Sequence, residues 1–294
     1  MFKGSFPALI TPFKNGAVDE DSFRALLDWH IEEGTDGFVP CGTTGESPTL
    51  SHDEHKQVTE ICIDQVKGRK PIIAGAGSNS TREAVELAKH AKLAGADAVL
   101  VVTPYYNKPT QGGMYAHFKA VHDEGGLPVI IYNIPPRSIV DMTPETMAEL
   151  AKLPNIVGVK DATADLFRPQ VTRAAMNGGA DDFCFLSGED GTAVPFLAAG
   201  GHGCISVTAN IAPRLCADMQ RAWRDGDVAK CMELQERLTP LHDAMFCEAS
   251  PGPVKHAAKL LGKCGADVRL PMTDISDESK EQVRSAMVGA GLLN

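Results

Sequence analysis

Short apolar runs recur along most of the chain, and each is followed by a stretch with helical periodicity. Eight runs end near residues 10, 40, 74, 102, 132, 160, 187 and 207, so successive ends are 20 to 34 residues apart. This spacing is the length of one strand and one helix, and eight such repeats predict an α/β fold of the closed (β/α)8 TIM-barrel class. An open doubly wound sheet is the alternative, but its dinucleotide fingerprint is incomplete, because Gly75-Ala-Gly77 lacks the third glycine.

Helix signals fill the segments between the runs. Two segments begin with the pattern of a capping box, Ser51 to Glu54 and Ser80 to Glu83, and a third places Thr143 before a proline. In the segment between the first and second apolar runs, four apolar residues share one face at helical spacing: Phe23, Leu26, Leu27 and Ile31. These signals place helices directly after the predicted strands.

The apolar runs stop after residue 210. Leu234, Leu238 and Leu241 recur at helical spacing in the remaining segment. We therefore predict two parts, a catalytic barrel over residues 1–210 and a C-terminal helical region over residues 211–294 that packs on the barrel.

Composition and charge exclude several classes of protein. The 294 residues are 43% hydrophobic and 22% charged, which is typical of a soluble globular protein. The net charge of −10 is spread along the chain, so no basic face is available for nucleic acid or an anionic membrane. No apolar run approaches the roughly 18 residues of a membrane helix, and no leader-like segment is evident. We expect a cytoplasmic protein that binds neither nucleic acid nor membrane.

Eight cysteines are scattered through the chain. None forms a CxxC pair, and a chain of this size does not need disulfides to fold. We predict reduced, mostly buried thiols. Cys41 is a poor candidate for a nucleophile, because no accompanying histidine spacing supports that role.

A lysine ends the sixth apolar run. In a barrel the carboxyl ends of the strands form the active-site face, which is where Lys160 falls. Burial disfavours an ammonium, and a free amine can attack a carbonyl carbon to form a Schiff base. Tyr132 ends the preceding run, so its phenol is expected beside the amine, where it can carry protons. The structural alternatives are a lysine that reaches water and a tyrosine with its hydroxyl at the rim of the core.

The segment "CGTTGESPTL" follows the second run. Gly42 and Gly45 permit a tight turn, while Thr43, Thr44 and Ser47 offer hydroxyls and amides suited to a small carboxylate. A capped turn between strand and helix is the alternative interpretation of the same residues.

Four ordered segments carry a family resemblance. "GTTGE" follows the second run, "TPYYNKP" the fourth, "YNIPPR" the fifth and "GVKDA" the sixth. Together they resemble the pyruvate-dependent class I aldolases, and most closely the branch that condenses pyruvate with L-aspartate 4-semialdehyde, giving 4-hydroxy-tetrahydrodipicolinate for lysine and diaminopimelate biosynthesis. The resemblance spans the whole chain, including "LSGED" and "GGHGCISVTAN". It implies a lyase with a (β/α)8 barrel and a helical C-terminal region, which agrees with the pattern of runs.

The resemblance also implies catalytic roles. Lys160 would form the imine with pyruvate, and Tyr132 would relay protons. Thr44 would lie between Tyr132 and Tyr106, and Tyr106 would come from a neighbouring subunit. The family is usually a homotetramer, and this exchange requires at least a dimer.

Further residues are implied in binding the keto acid. Thr43 would hold the pyruvate carboxylate, while Gly188 and Ile205 would line the same pocket. No metal or organic cofactor is expected, because the lysine itself acts as the electron sink.

Arg137 bears on the choice of second substrate. A guanidinium can grip a carboxylate with two parallel hydrogen bonds, and aspartate 4-semialdehyde has such a group. Many relatives continue from this arginine with Thr-Gly, whereas this chain has Ser138-Ile139, which leaves the shape of that loop open.

A group of polar residues outside the catalytic set resembles the lysine site of feedback-inhibited relatives, and L-lysine is therefore a predicted effector. These residues are Ser47, His52, His55, Asn79, Glu83 and Tyr105. Surface helix starts that bind no ligand are the alternative.

Three other functions stay open at this point. One is a different pyruvate-dependent aldolase, of the 4-hydroxy-2-oxoglutarate, sugar-acid or N-acetylneuraminate lyase type. Another is a non-catalytic sensor of keto acids. A metal hydrolase that uses His52 and His55 is disfavoured, because no acidic partner completes a ligand set.

Overall fold

The computed structural model describes residues 1–179 and 181–294. Nine strands lie in these residues: β1 (Gly4–Pro7), β2 (Phe13–Lys14), β3 (Ala17–Val18), β4 (Ile73–Gly75), β5 (Ala98–Val102), β6 (Val129–Asn133), β7 (Ile156–Asp161), β8 (Cys184–Ser187) and β9 (Gly203–Ser206).

Twelve α-helices lie in the same described ranges: α1 (Glu20–Glu32), α2 (His52–Val66), α3 (Thr81–Ala94), α4 (Gln111–Gly125), α5 (Pro135–Ser138), α6 (Pro144–Ala151), α7 (Arg168–Ala175), α8 (Ala193–Ala198), α9 (Pro213–Arg224), α10 (Val228–Ala244), α11 (Gly252–Leu260) and α12 (Asp277–Gly289). Two short 3-10 helices cover Ser47–Thr49 and Thr208–Asn210.

The chain forms two compact units. The first consists of residues 1–3 and 72–205, and the second of residues 4–71 and 206–294. The division at residue 210 into a barrel and a C-terminal helical region stays a prediction.

Parallel strands form the framework of the first unit. Their order is β4-β5-β6-β7-β8-β9, and each strand runs parallel to the next. The residues of β6 are all buried, as are the first four of β5. Continuous apolar strands are typical of parallel sheets that are covered on both faces. The predicted alternation of parallel strands and helices is therefore confirmed.

All three predicted helix starts are confirmed, because α2, α3 and α6 begin directly after Ser51, Ser80 and Thr143. Ser51 and Glu54 form a reciprocal capping box on α2, and Thr143 caps α6. The capping box predicted at Ser80 is wrong. Within the described residues the Ser80 side chain makes no capping hydrogen bond to α3, and the carboxylate of Glu83 instead accepts a hydrogen bond from Ser78 Oγ. The Ser78 hydroxyl also accepts the N–H of Ser80 over 3.0 Å, so it binds both groups that the capping box would have joined.

The second predicted strand, in the second unit, is only partly regular. Val39 forms a parallel bridge with Ala8, and the N–H of Phe38 donates to the carbonyl of Pro71 over 2.9 Å. Pro40 and Pro71 have no N–H, so the ladder cannot extend through them.

A short hairpin in the second unit was not predicted. β2 and β3 pair antiparallel across Asn15-Gly16, whose φ angles are +54° and +82°. Two consecutive positive φ angles are characteristic of a type I′ turn, for which Asn-Gly is the preferred sequence. The dipeptide was therefore the signal that would have located this hairpin.

The end of the chain is helical, as predicted. α9 packs on α10, and α12 packs on both α10 and α11. Leu234, Leu238 and Leu241 are buried on one side of α10. Across the two described ranges, no helix is both long enough and apolar enough to cross a bilayer.

The cysteines are reduced. All eight are free thiols; six are buried, while Cys247 and Cys264 are half-buried. This confirms the prediction from their spacing.

Candidate active site

Lys160 and Tyr132 are directly paired across β6 and β7. The register joins Tyr132 with Lys160 and Asn133 with Asp161. The lysine is 5% exposed and the tyrosine 6% exposed. Lys160 Nζ lies 4.2 Å from the centroid of the Tyr132 ring. The sheet therefore brings an amine and a phenol together in a nearly dry environment, as expected from their positions at successive strand ends.

Gly188 lies against the stem of this lysine. A Cβ at position 188 would stand 3.0 Å from Lys160 Cε and 2.8 Å from the Cβ of Ala162. The Gly188 N–H donates to the carbonyl of Asp161 over 2.6 Å. A side chain here would press on the lysine, so glycine is required by the close approach. Ile205, also predicted to line the pocket, is buried on β9 of the same unit.

Asp161 follows the lysine and has a structural explanation. Its carboxylate accepts hydrogen bonds from the backbone N–H (2.9 Å) and the hydroxyl (2.7 Å) of Thr163. Burial raises the pKa of Asp161, while the bonds from Thr163 oppose that shift. This carboxylate thus shapes the turn that leaves β7.

Asn133 was missed by the sequence analysis. It follows Tyr132 and is buried, and its amide donates to Asp141 Oδ1 (2.8 Å) while its oxygen accepts the N–H of Met142 (3.1 Å). Arg168 pairs with the same aspartate. The asparagine therefore ties both ends of the segment 134–142 together, and its place directly after Tyr132 in "YNIPPR" was the available signal.

The segment between those ends carries Arg137. It begins with α5, where Arg137 is exposed. Ser138 is buried, and its hydroxyl accepts a hydrogen bond from Thr103 Oγ1 (3.1 Å) and lies 2.9 Å from the carbonyl of Ile134. Ser138 therefore fixes the base of the segment and leaves the guanidinium in solvent.

Ile139 occupies an unusual backbone conformation. Its φ is +67° and its ψ is −30°, and its side chain is 65% exposed. A β-branched residue at positive φ is strained. Ile139 therefore stores strain two residues after Arg137.

Tyr106 is not part of the buried pair within its own chain. Its side chain is 88% exposed and its φ is +70°. This exposure is compatible with the predicted use of Tyr106 by a neighbouring subunit, which stays a prediction.

The threonine loop, residues 42–46, belongs to the second unit. Thr44 is buried and Thr43 half-buried. The N–H of Glu46 donates to the carbonyl of Thr43 over 3.1 Å, which closes the predicted tight turn. Burial raises the pKa of the neighbouring Cys41 thiol to about 12, so this cysteine is unsuited to nucleophilic attack.

The residues of the predicted lysine site fall into two groups. In the first unit, Asn107 links two of them, since its side-chain amide donates to the carbonyl of Asn79 (2.8 Å) and its N–H to that of Tyr105 (2.8 Å). Glu83 follows Asn79 closely in the sequence, and its carboxylate accepts a hydrogen bond from Ser78. The other group belongs to the second unit: Ser47, His52 and His55. The joint site stays a prediction.

The side chains that could bind a metal ion do not cluster within the described residues. Among the residues that the structure describes, no group of three or more His, Cys, Asp or Glu side chains could hold a metal ion. His52 is exposed whereas His55 is buried.

Comparison with known proteins decides the family. The model of the dihydrodipicolinate synthetase family matches residues 1–289. The chain belongs to this family. The resemblance drawn from the four sequence segments is thereby confirmed.

Family members resemble the chain over its full length. A relative from Acidiphilium cryptum, named 4-hydroxy-tetrahydrodipicolinate synthase, is 62% identical over 294 residues, which cover all of both chains. A dihydrodipicolinate synthase from Acinetobacter baumannii, whose structure is described as chloride inhibited and complexed with pyruvate, has a TM-score of 0.96 and 45% identity over all of both chains. The enzyme from Cyanidioschyzon merolae with lysine bound has a TM-score of 0.94 and 39% identity, and 99% of each chain is covered. Together with the parallel strand and helix order, these likenesses confirm the TIM-barrel class with a C-terminal helical region.

The strain at Ile139 can be measured by comparing two substitutions in this family member. Ile139→Gly and Ile139→Ala remove nearly the same exposed side chain, but only glycine lacks the Cβ that makes a positive φ unfavourable. We expect the glycine variant to exceed the alanine variant by about 1 kcal/mol in free energy of unfolding, measured by urea denaturation. An alanine variant of equal or greater stability would contradict the left-handed conformation.

Proposed function

We propose that the chain condenses pyruvate with L-aspartate 4-semialdehyde through a Schiff base on Lys160 and releases 4-hydroxy-tetrahydrodipicolinate. It is a lyase of lysine and diaminopimelate biosynthesis, and we expect it to act in the cytoplasm. The observation that carries the proposal is the pairing of Lys160 with Tyr132, with the amine 4.2 Å from the ring centroid. Full-length relatives named for this reaction support it over the other pyruvate-dependent aldolases.

The buried amine supplies the electron sink. Lys160 Nζ attacks the carbonyl carbon of pyruvate, and loss of water gives a protonated imine. The imine withdraws electrons from the methyl carbon, which loses a proton and becomes the nucleophilic carbon of an enamine. This carbon attacks the aldehyde, forming the new C–C bond. The amino group of the semialdehyde then displaces Lys160 from the imine carbon, closes the ring and frees the enzyme.

Tyr132 is the proposed proton carrier for these steps. Imine formation needs a proton on the departing water, and a phenol held beside the amine can deliver it and take it back. Family resemblance assigns Thr44 and Tyr106 to the same relay and Thr43 to the pyruvate carboxylate. The exposure of Tyr106 supports its use across subunits, so we propose a homo-oligomer, and a tetramer is the form expected of the family.

Arg137 is the proposed contact for the second substrate. Its guanidinium is exposed, and within the described residues it forms no ion pair. A free guanidinium can bind the carboxylate of the semialdehyde with two parallel hydrogen bonds. Gly188 and Ile205 are the proposed lining beside the imine.

L-lysine is the proposed effector. A family member from Cyanidioschyzon merolae has been solved with lysine bound. Glu83 supplies a carboxylate that can bind an α-ammonium, and Tyr105 precedes Tyr106 in the chain. A ligand that reorients Tyr105 changes the rate only if it binds the two arrangements of the loop with different affinity.

The imine on Lys160 is the first testable consequence. Incubation with pyruvate and borohydride should add the mass of one reduced pyruvate to the wild-type chain, and Lys160→Ala should remove both this adduct and turnover. Lys152→Ala, at an exposed lysine of the same unit, is the control and should behave as wild type. Substantial turnover by the Lys160 variant would contradict the mechanism.

The role of Arg137 is tested by comparing the two substrates. Arg137→Ala should raise KM for the semialdehyde by roughly 10- to 100-fold, because a charged hydrogen-bonding contact is lost, with little change in KM for pyruvate. Arg137→Lys should recover only part of the loss, since the fork geometry is absent. A parallel rise of both constants would show that Arg137 shapes the segment instead.

The effector is tested at saturating pyruvate. L-lysine should inhibit partially and without competing with pyruvate, and Glu83→Ala should abolish inhibition while basal turnover persists. Glu86→Ala, on the same helix and exposed, should remain inhibited. Absence of both inhibition and heat of binding in the wild-type protein would reject lysine as an effector.

A further inference from the structure

A buried ion pair adjoins the threonine loop and has no part in the chemistry above. Glu46 ends this loop, and its carboxylate pairs with the ammonium of Lys255 on α11. The side chain of Lys255 is 0% exposed and that of Glu46 is 3% exposed. Apolar side chains of similar size are often as stabilising as a buried pair of this kind. Stability alone therefore gives little reason for placing two charges here.

Both oxygens of the Glu46 carboxylate are used. Oε1 accepts from Lys255 Nζ, and Oε2 accepts the backbone N–H of Arg269 over 2.9 Å. Lys255 Nζ also donates to the carbonyl of Asp267 (2.7 Å) and lies 4.0 Å from the centroid of the Phe13 ring. Burial lowers the pKa of Lys255, and the charge of Glu46 opposes that shift. The carboxylate is thus held from two directions by the C-terminal part of the chain.

Arg269 extends this attachment to the start of α2. Its guanidinium donates to the carbonyl of Thr49 over 2.9 Å and binds both carboxylate oxygens of Glu54. Glu54 is also the capping-box residue of α2. The loop exit and the following helix therefore share one anchor.

The backbone of the loop needs such an anchor. Cys41 and Glu46, which flank residues 42–45, have φ angles of +55° and +56°. The hydroxyl of Thr11 donates to the carbonyl of Gly45 over 2.7 Å, which fixes the middle of the turn. Residues other than glycine keep a left-handed conformation only when their surroundings hold them there. For Glu46 those surroundings are Lys255 and Arg269.

We infer that Glu46 is a positioning residue, which Lys255 and Arg269 clamp so that the left-handed turn presents Thr43 to the carboxylate of pyruvate. This inference rests on the proposed binding of the pyruvate carboxylate by Thr43. Loss of the clamp should release the turn and weaken pyruvate binding, with little effect on the semialdehyde.

A purely structural role predicts a different outcome for one double variant. Lys255→Met alone leaves the Glu46 charge buried without its partner and should lower Tm. Glu46→Leu combined with Lys255→Met removes both charges with little change of volume, so Tm should return part of the way to the wild-type value; the N–H of Arg269 and the carbonyl of Asp267 still lose their partners. If the pair only stabilises the fold, pyruvate binding should return with it.

The experiment measures Tm, the pyruvate concentration that gives half-maximal borohydride trapping, KM for both substrates, and hydrogen exchange of the amides of residues 42–47. We expect the double variant to need roughly tenfold more pyruvate, a loss of about 1.4 kcal/mol, with the semialdehyde KM unchanged and with faster exchange confined to the loop. His242→Leu, which removes a buried hydrogen bond to Thr208 in the same unit, is the control. It should lower Tm without raising the pyruvate requirement.

Two results separate the inference from the function on which it rests. A double variant with wild-type pyruvate binding and slow loop exchange would overturn the positioning role. A wild-type protein that pyruvate and borohydride do not modify would instead overturn the proposed function, and loop exchange would still decide whether Glu46 holds the turn.

Discussion

The parallel pairing of β6 with β7 is the constraint on which the candidate site depends. One register fixes Tyr132 opposite Lys160 and Asn133 opposite Asp161. A slip of one strand by one residue would turn Tyr132 and Lys160 to opposite faces of the sheet. The polar residues that end the two strands, Asn133 with its partner Asp141 and Asp161 with its partner Thr163, close the loops at this point. The chemistry is thus set by backbone hydrogen bonds and by the loops that leave the strands.

The second unit shows a different way of fixing a loop. Glu46 in its threonine turn is left-handed, and its carboxylate is held by the ammonium of Lys255 and the backbone N–H of Arg269, more than 200 positions later in the chain. The separation means that the turn can reach its final form only once the C-terminal helices have folded. Local sequence sets the turn type, whereas the distant partners select one conformation of it.

The sequence predicted the features that depend on local pattern. Apolar runs located the strands, Ser51 with Glu54 located the start of α2, and the ends of successive runs brought Tyr132 next to Lys160. The sequence did not predict features that depend on a partner distant in the chain or on a competing hydrogen bond. The carboxylate of Glu83 accepts a hydrogen bond from Ser78 instead of completing the expected capping box. No residue near Lys255 in the chain indicates that Lys255 is buried beside Glu46. Ile139 shows a third limit, because its left-handed conformation follows from closure of the segment 134–142 and opposes its own preference.

The reactivity of the reduced cysteines can be used to measure local opening of the structure. Cys41 adjoins the threonine turn, its Sγ lies 3.5 Å from the carbonyl of His55, and burial raises the pKa of its thiol to about 12. A thiol in this state reacts with an alkylating reagent only when the surrounding structure opens and admits both water and reagent. Cys247 is half-buried and meets the reagent without such a step. The labelling rate of Cys41 relative to Cys247 therefore reads the free energy of opening around the turn directly from the native protein, without added denaturant.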